Sequence, residues 1–158
     1  MIVISDATPI NVLVRIGSIG VLEDLFGCVL LTPAVLRELS HSRTPQEVRN
    51  WATQLPAWVQ VRSPHVPDKG GRGAGEREAI ALALELDADF LLVDDRQARQ
   101  DAQAKGISIA GTVGVLEIAA EYGLISFVEV IARLRKTDFH VLDSIIEEAL
   151  KRNAPLGL

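Results

Sequence analysis

Residues 75–99 read GEREAIALALELDADFLLVDDRQAR, and this stretch decides the fold class. From Glu76 to Leu86 apolar residues fall on nearly every side of a helical wheel, which predicts a buried helix. Phe90 to Val93 is a continuous apolar run of strand length with no polar alternation. Such a run suits a strand covered on both faces, as in a parallel sheet between helices. It stops at Asp94-Asp95, and a polar helix is predicted from Arg96 to Lys105, ended by Gly106.

The same grammar extends both ways. Toward the C-terminus, Ile107–Ala110 reads as a last strand, Gly111-Thr112 opens a helix through Tyr122 with Thr112 as its N-cap, and further helices are predicted over Ser126–Arg135 and Leu142–Arg152. Leu142, Ile145, Ile146 and Leu150 give the last one an apolar stripe that suits packing on the core. Toward the N-terminus, Ile2–Ser5 is an apolar strand followed by Asp6, and Thr8-Pro9 is a cap-and-proline helix start. A short helix over Val21–Phe26, a strand over Cys28–Leu31, a helix opened by Thr32-Pro33, a helix after Thr44-Pro45 and a strand over Val59–Val61 follow. Pro64–Gly75 is a glycine-rich loop. Strands alternating with helices predict a single α/β domain over residues 1–158. The expected form is a three-layer α/β/α sandwich with a central, mostly parallel sheet of four or five strands.

Composition limits the function. Hydrophobic residues at 48% and charged residues at 23% exclude an intrinsically disordered chain. A net charge of −5 excludes gripping nucleic acid by bulk charge, and 4% aromatic residues exclude a grip built mainly on stacking. Cys28 is the only cysteine, so no internal disulfide forms. His41, His65 and His140 are scattered, without zinc-ligand spacing. No apolar run reaches the ~18 residues of a membrane span, and MIVIS lacks the basic start of a signal peptide. The expectation is a cytoplasmic protein with no membrane partner.

In open parallel sheets function gathers at the carboxyl ends of the strands, where this chain places Asp6 and Asp94-Asp95. Glu38 lies in the helix after Thr32-Pro33, and Glu76 opens the buried helix. The i+3, i+4 and i+7 neighbours of Glu76 are Ala79, Ile80 and Ala83, an inward set; those of Glu78 include Glu85, which predicts that Glu78 points to water. Carboxylates about 4 Å apart repel by about 4 kcal/mol at an effective dielectric near 20. Protonation or a divalent cation relieves that repulsion. A site of oxygen ligands suits Mg²⁺ or Mn²⁺, which can hold a phosphate oxygen and lower the pKa of water. Against this stands the plainer fact that a strand-end Asp more often caps the next helix than binds a metal, and Asp94 and Asp95 could both cap the Arg96 helix.

Taken together, ISDATPI, TPAVLREL, GEREAIALALELDAD and LLVDDRQAR resemble the spaced motifs of the PIN-domain family over Ile2 to about Leu150. The last two, with IAGTVGVL, are similar to a prokaryotic subgroup of predicted nucleic-acid-binding PIN proteins related to VapC-type toxins. The resemblance implies a metal-dependent ribonuclease yielding 5′-phosphate and 3′-hydroxyl ends. Asp6, Glu38, Glu76 and Asp95 would be its catalytic acids and, with Asp94, would hold one or two Mg²⁺ or Mn²⁺. It also implies an RNA substrate, a small antitoxin partner for a toxin, and a homodimer. Two departures mark this chain: Glu at the third acidic position, and Val93 where many members have Thr or Ser, with Thr112 able to supply a hydroxyl instead. A local basic rim would grip the substrate, with Lys69, Arg72 and Arg77 on the loop side and Arg96 and Arg99 beside the strand-end acids. A catalytically silent PIN-like module for RNA or protein binding is the alternative. A phosphoacceptor receiver fits poorly, because the Asp pair follows the fourth strand and no Lys follows Ala110.

Overall fold

The computed structural model describes residues 1–66, 73–141 and 143–153. Five strands, β1 (Val3–Ser5), β2 (Val29–Leu31), β3 (Val59–Val61), β4 (Phe90–Leu92) and β5 (Ile109–Ala110), form one parallel sheet ordered β3-β2-β1-β4-β5. The helices are α1 (Ala7–Arg15), α2 (Val21–Phe26), α3 (Pro33–Leu39), α4 (Gln46–Thr53), α5 (Ala74–Leu86), α6 (Arg96–Ala104), α7 (Thr112–Glu121), α8 (Phe127–Leu134) and α9 (Asp143–Arg152). None is long and apolar enough to cross a membrane.

The strands lack polar alternation because helices cover both faces of the sheet. Successive residues go to opposite cores: Val3 and Leu92 to one, Ile4 and Leu91 to the other. The first core is closed by α1–α4 and α7–α9, the second by α5 and α6. Leu91 and Leu92 have no exposed surface, and each such burial is worth roughly 1.5–3 kcal/mol. This is the predicted three-layer α/β/α sandwich.

Three local expectations change. Helix α1 begins at Ala7 with Asp6 in the cap position, extended at φ −72° and ψ 172°, so Thr8 is an exposed first-turn residue and not the cap. Pro9 still sits where no N–H is needed. Strand β5 is shorter than Ile107–Ala110, because the Ile107 N–H donates to Ala102 O at 3.0 Å, closing α6 around Gly106 at φ +79°. On α9, Ile146 is buried and Leu150 packs on the core, but Ile145 faces out; Leu142 lies outside the described residues.

The chain builds β2 and β3 on one side of β1, then crosses to β4 and β5 on the other. The strand order therefore reverses between β1 and β4, the place where open α/β sheets leave a crevice. Ser5 pairs with Leu92, and the Asp6 N–H donates to Leu92 O at 2.9 Å. That register holds the Asp6 backbone beside the end of β4, one residue short of Val93 and Asp94.

Candidate active site

Asp6 is only 5% exposed, although nothing neutralises it among the described residues. Its Oδ1 has no hydrogen-bond partner there. Burial is the main reason its carboxyl is pushed up to about 7; the Ala7 N–H opposes this, and the negative charges of Glu38, Glu76 and Asp94 add to it. Three acids from three other elements thus act on one buried carboxylate.

Gly75 shows how close two of them come. A methyl group added there would stand 2.9 Å from Glu38 Oε2 and 3.6 Å from Asp6 Oδ1. The two oxygens therefore approach one point, from α3 and from the end of β1, and only a residue without a side chain leaves that point open. Sequence reasoning missed Gly75. The signal was present, since glycine in the first turn of an otherwise alanine-rich helix costs stability and so asks for a reason. Glu38 is exposed as a residue, but its carboxyl end is partly desolvated, which raises its pKa. Asp6, Glu38 and Glu76 line one cleft of about 450 Å³.

Glu78 does not point to water. Its Oε2 accepts the Ala34 N–H at 2.9 Å, satisfying a free donor in the first turn of α3 and tying α5 to the helix that carries Glu38. The i, i+7 pairing with Glu85 misled because an unsatisfied helix end outbids solvent for a carboxylate within reach.

The two strand-end aspartates part company. The Asp95 Oδ2 accepts from Ala98 N at 2.9 Å, so Asp95 caps α6, and the residue is exposed. Asp94 turns to α7, where its Oδ1 accepts the Thr112 N–H at 2.8 Å and its Oδ2 accepts the Thr112 hydroxyl at 2.6 Å. Thr112 is fully buried and is the first residue of α7; Gly111 holds the cap position. The N-cap reading of Thr112 is therefore overturned, and its hydroxyl instead anchors an acid. Desolvation raises the Asp94 pKa against these bonds and against the charge of Arg99.

Arg99 donates to Val93 O at 3.1 Å and stands by Asp94, so it is engaged by the end of β4. Arg96 is exposed at the start of α6 and Arg77 is half-buried on α5. Lys69 and Arg72 lie outside the described residues.

The chemistry of the donor set fits a hard divalent cation. Among the described residues, no three His, Cys, Asp or Glu side chains stand close enough together to hold an ion. Mg²⁺, however, keeps several waters and is commonly bound through only one or two carboxylates. Asp6 and Glu38 supply two, one of them a buried oxygen lacking any donor among the described residues.

Comparison with known proteins gives three findings. The family model DUF3368, described as a PIN domain, matches residues 2–154. No curated protein matches the chain. Among solved structures, it is similar to a PilT N-terminus domain protein from the hyperthermophilic archaeon Sulfolobus solfataricus P2, at 16% identity, covering 89% of this chain and 99% of that one, with a TM-score of 0.47.

Proposed function

From the premise that the chain belongs to the PIN-domain family, whose members are generally metal-dependent nucleases, we propose that it is a ribonuclease dependent on Mg²⁺ or Mn²⁺. The observation that carries this reading is the Asp6 carboxylate. It is buried, it lacks a partner for Oδ1 among the described residues, and it faces Glu38 across the space left by Gly75. A buried carboxylate in the field of three further acids is costly unless a cation offsets it.

In this reading Asp6 and Glu38 hold the ion and Glu76 flanks it in the same cleft. Bound there, the ion would polarise a phosphate oxygen and lower the pKa of water. Asp94 takes the fourth acidic place as a positioning residue, acting on Asp6 through its charge while Thr112 fixes it. Asp95 serves α6.

The test is cleavage of a labelled RNA with Mn²⁺ or Mg²⁺, against the same reaction in EDTA and with Asp6→Asn. Metal-dependent product that disappears in both controls supports the enzyme. One observation favours the second reading, an RNA-binding module without turnover: the described residues bring no three ligands within reach of one ion. That reading expects RNA affinity, no product, and no change of melting temperature on adding Mn²⁺. A toxin role adds one expectation of its own, growth arrest on expression that Asp6→Asn abolishes.

A further inference from the structure

Next to the acidic cleft lies a second, of about 480 Å³, lined by Asn11, Arg15, Arg43, Asp138, Phe139 and His140 among others. The two clefts share Thr8, Glu38 and His41, so they form one continuous groove running from the acids toward the segment after α8. The charge changes along it. The acidic end holds Asp6, Glu38 and Glu76 against one cation among the described residues, Arg37, whereas the far end carries Arg43 and Arg15, with the His140 imidazole, against Asp138, which Arg15 already pairs at 2.6 Å. Arg43 and His140 are exposed, and no hydrogen bond of either side chain is seen among the described residues. His41, at the junction, accepts the Arg43 N–H on Nδ1 at 3.1 Å, which leaves its ring proton on Nε2 as a donor.

The far end also has features that phosphate does not use. Asn11 Oδ1 is buried in the wall with no donor among the described residues. Phe139, half-buried, lines the same cleft and offers an apolar ring. A guanidinium and an imidazole N–H donor at the rim, an amide acceptor wanting an N–H, and an aromatic surface are the parts with which proteins hold an unpaired nucleotide: phosphate outside, base edge on the amide, base face on the ring. The volume suits one small-molecule-sized group, and an A-form duplex presents no base that could enter it.

We infer that this second cleft is a subsite for one unpaired nucleotide of single-stranded RNA, next to the phosphate at the acids, with Arg43 and His140 on its backbone and Asn11 on its base. The inference rests on the ribonuclease reading for the identity of the ligand. It moves the substrate grip away from Arg96 and Arg99, which line neither cleft.

The test uses fluorescence anisotropy with a labelled single-stranded RNA of about ten nucleotides, in an Asp6→Asn background so that nothing is cut. The double substitution Arg43→Ala with His140→Ala is expected to weaken binding roughly tenfold. It should also lower the slope of log affinity against log salt by about 0.7 for each phosphate no longer neutralised. Asn11→Ala is expected to weaken binding severalfold with the salt slope unchanged, and a duplex of the same sequence to bind more weakly than the single strand. Arg133→Ala, which removes a charge lining a different cleft, should bind as the parent does. In the active protein the double variant should raise KM and keep kcat. A parent that cleaves RNA while the groove variants bind and cut as it does overturns the subsite alone. A loss in Arg133→Ala equal to that of the double variant does the same, by showing only a general charge effect. A parent that neither binds nor cuts RNA overturns the subsite and the ribonuclease reading together.

Discussion

Asp6 and Asp94 end neighbouring strands of the same sheet, and both have pKa values raised by desolvation, yet the structure treats them in opposite ways. Asp94 has both oxygens satisfied by Thr112 and a guanidinium beside it. Asp6 has an oxygen with no partner among the described residues and three acids for company. Burial alone therefore does not mark a working carboxylate. The distinction lies in what the surrounding groups supply: a buried acid that the fold has satisfied reads as scaffold, and one that it leaves without a partner is a candidate site.

The largest expected effect breaks the comparison on activity. Asp6→Asn should lower metal-dependent RNA cleavage on the order of 10³-fold or more, and Asp94→Asn by about 10–100-fold, the range for residues that act through a ligand. Steady-state rates in Mn²⁺ decide it, and equal losses would erase the distinction.

Stability should separate the two acids by size of effect. The Asp6 pKa is higher in the folded protein, about 7, than its ordinary value of 3.8. Its contribution is therefore most favourable below pH 3.8 and is lost as the pH rises through about 7. Without metal, Asp6→Asn should be more stable than the parent at pH 8 by up to about 4 kcal/mol, and the gap should close as the pH falls toward about 4. Asp94→Asn should gain less: its raised pKa makes that charge costly too, but an amide nitrogen in place of one oxygen cannot accept from Thr112, which takes back about 1–3 kcal/mol. Urea denaturation of the three proteins across that pH range measures the difference. Adding Mn²⁺ should raise the melting temperature of the parent, more at about pH 8 than at about pH 5.5, and leave Asp6→Asn unmoved.

Smaller effects sharpen the picture. Thr112→Val deletes the 2.6 Å bond to Asp94 and should cost about 1–2 kcal/mol while retaining most cleavage. Glu78→Ala frees the Ala34 N–H at the start of α3 and should cost about 1 kcal/mol, read as a lower urea midpoint at unchanged slope.

Much of the fold was legible because its signals are local. Apolar runs bounded by Thr-Pro and Gly gave the order of the strands and helices, and strands without polar alternation required helices on both faces. At the site, the readings of Thr112 and Glu78 failed because their partners are distant in sequence. Thr112 lies 18 residues from the acid it holds, and Glu78 lies 44 residues from the N–H it caps. No periodicity within one element encodes such pairs.

By itself the sequence determined the alternating αβ order, the two-sided burial of the strands and the presence of acids at the strand ends, because each follows from the chemistry of residues a few positions apart. Only the tertiary structure decided which acids stand near one another. The β3-β2-β1-β4-β5 order sets the ends of β1 and β4 side by side, and Gly75 leaves open the point that Asp6 and Glu38 both approach. Thr112 and Ala98 then draw Asp94 and Asp95 to different helices. Those outcomes depend on distances across the fold, and a hydrogen bond or a charge acts through space whatever the separation along the chain.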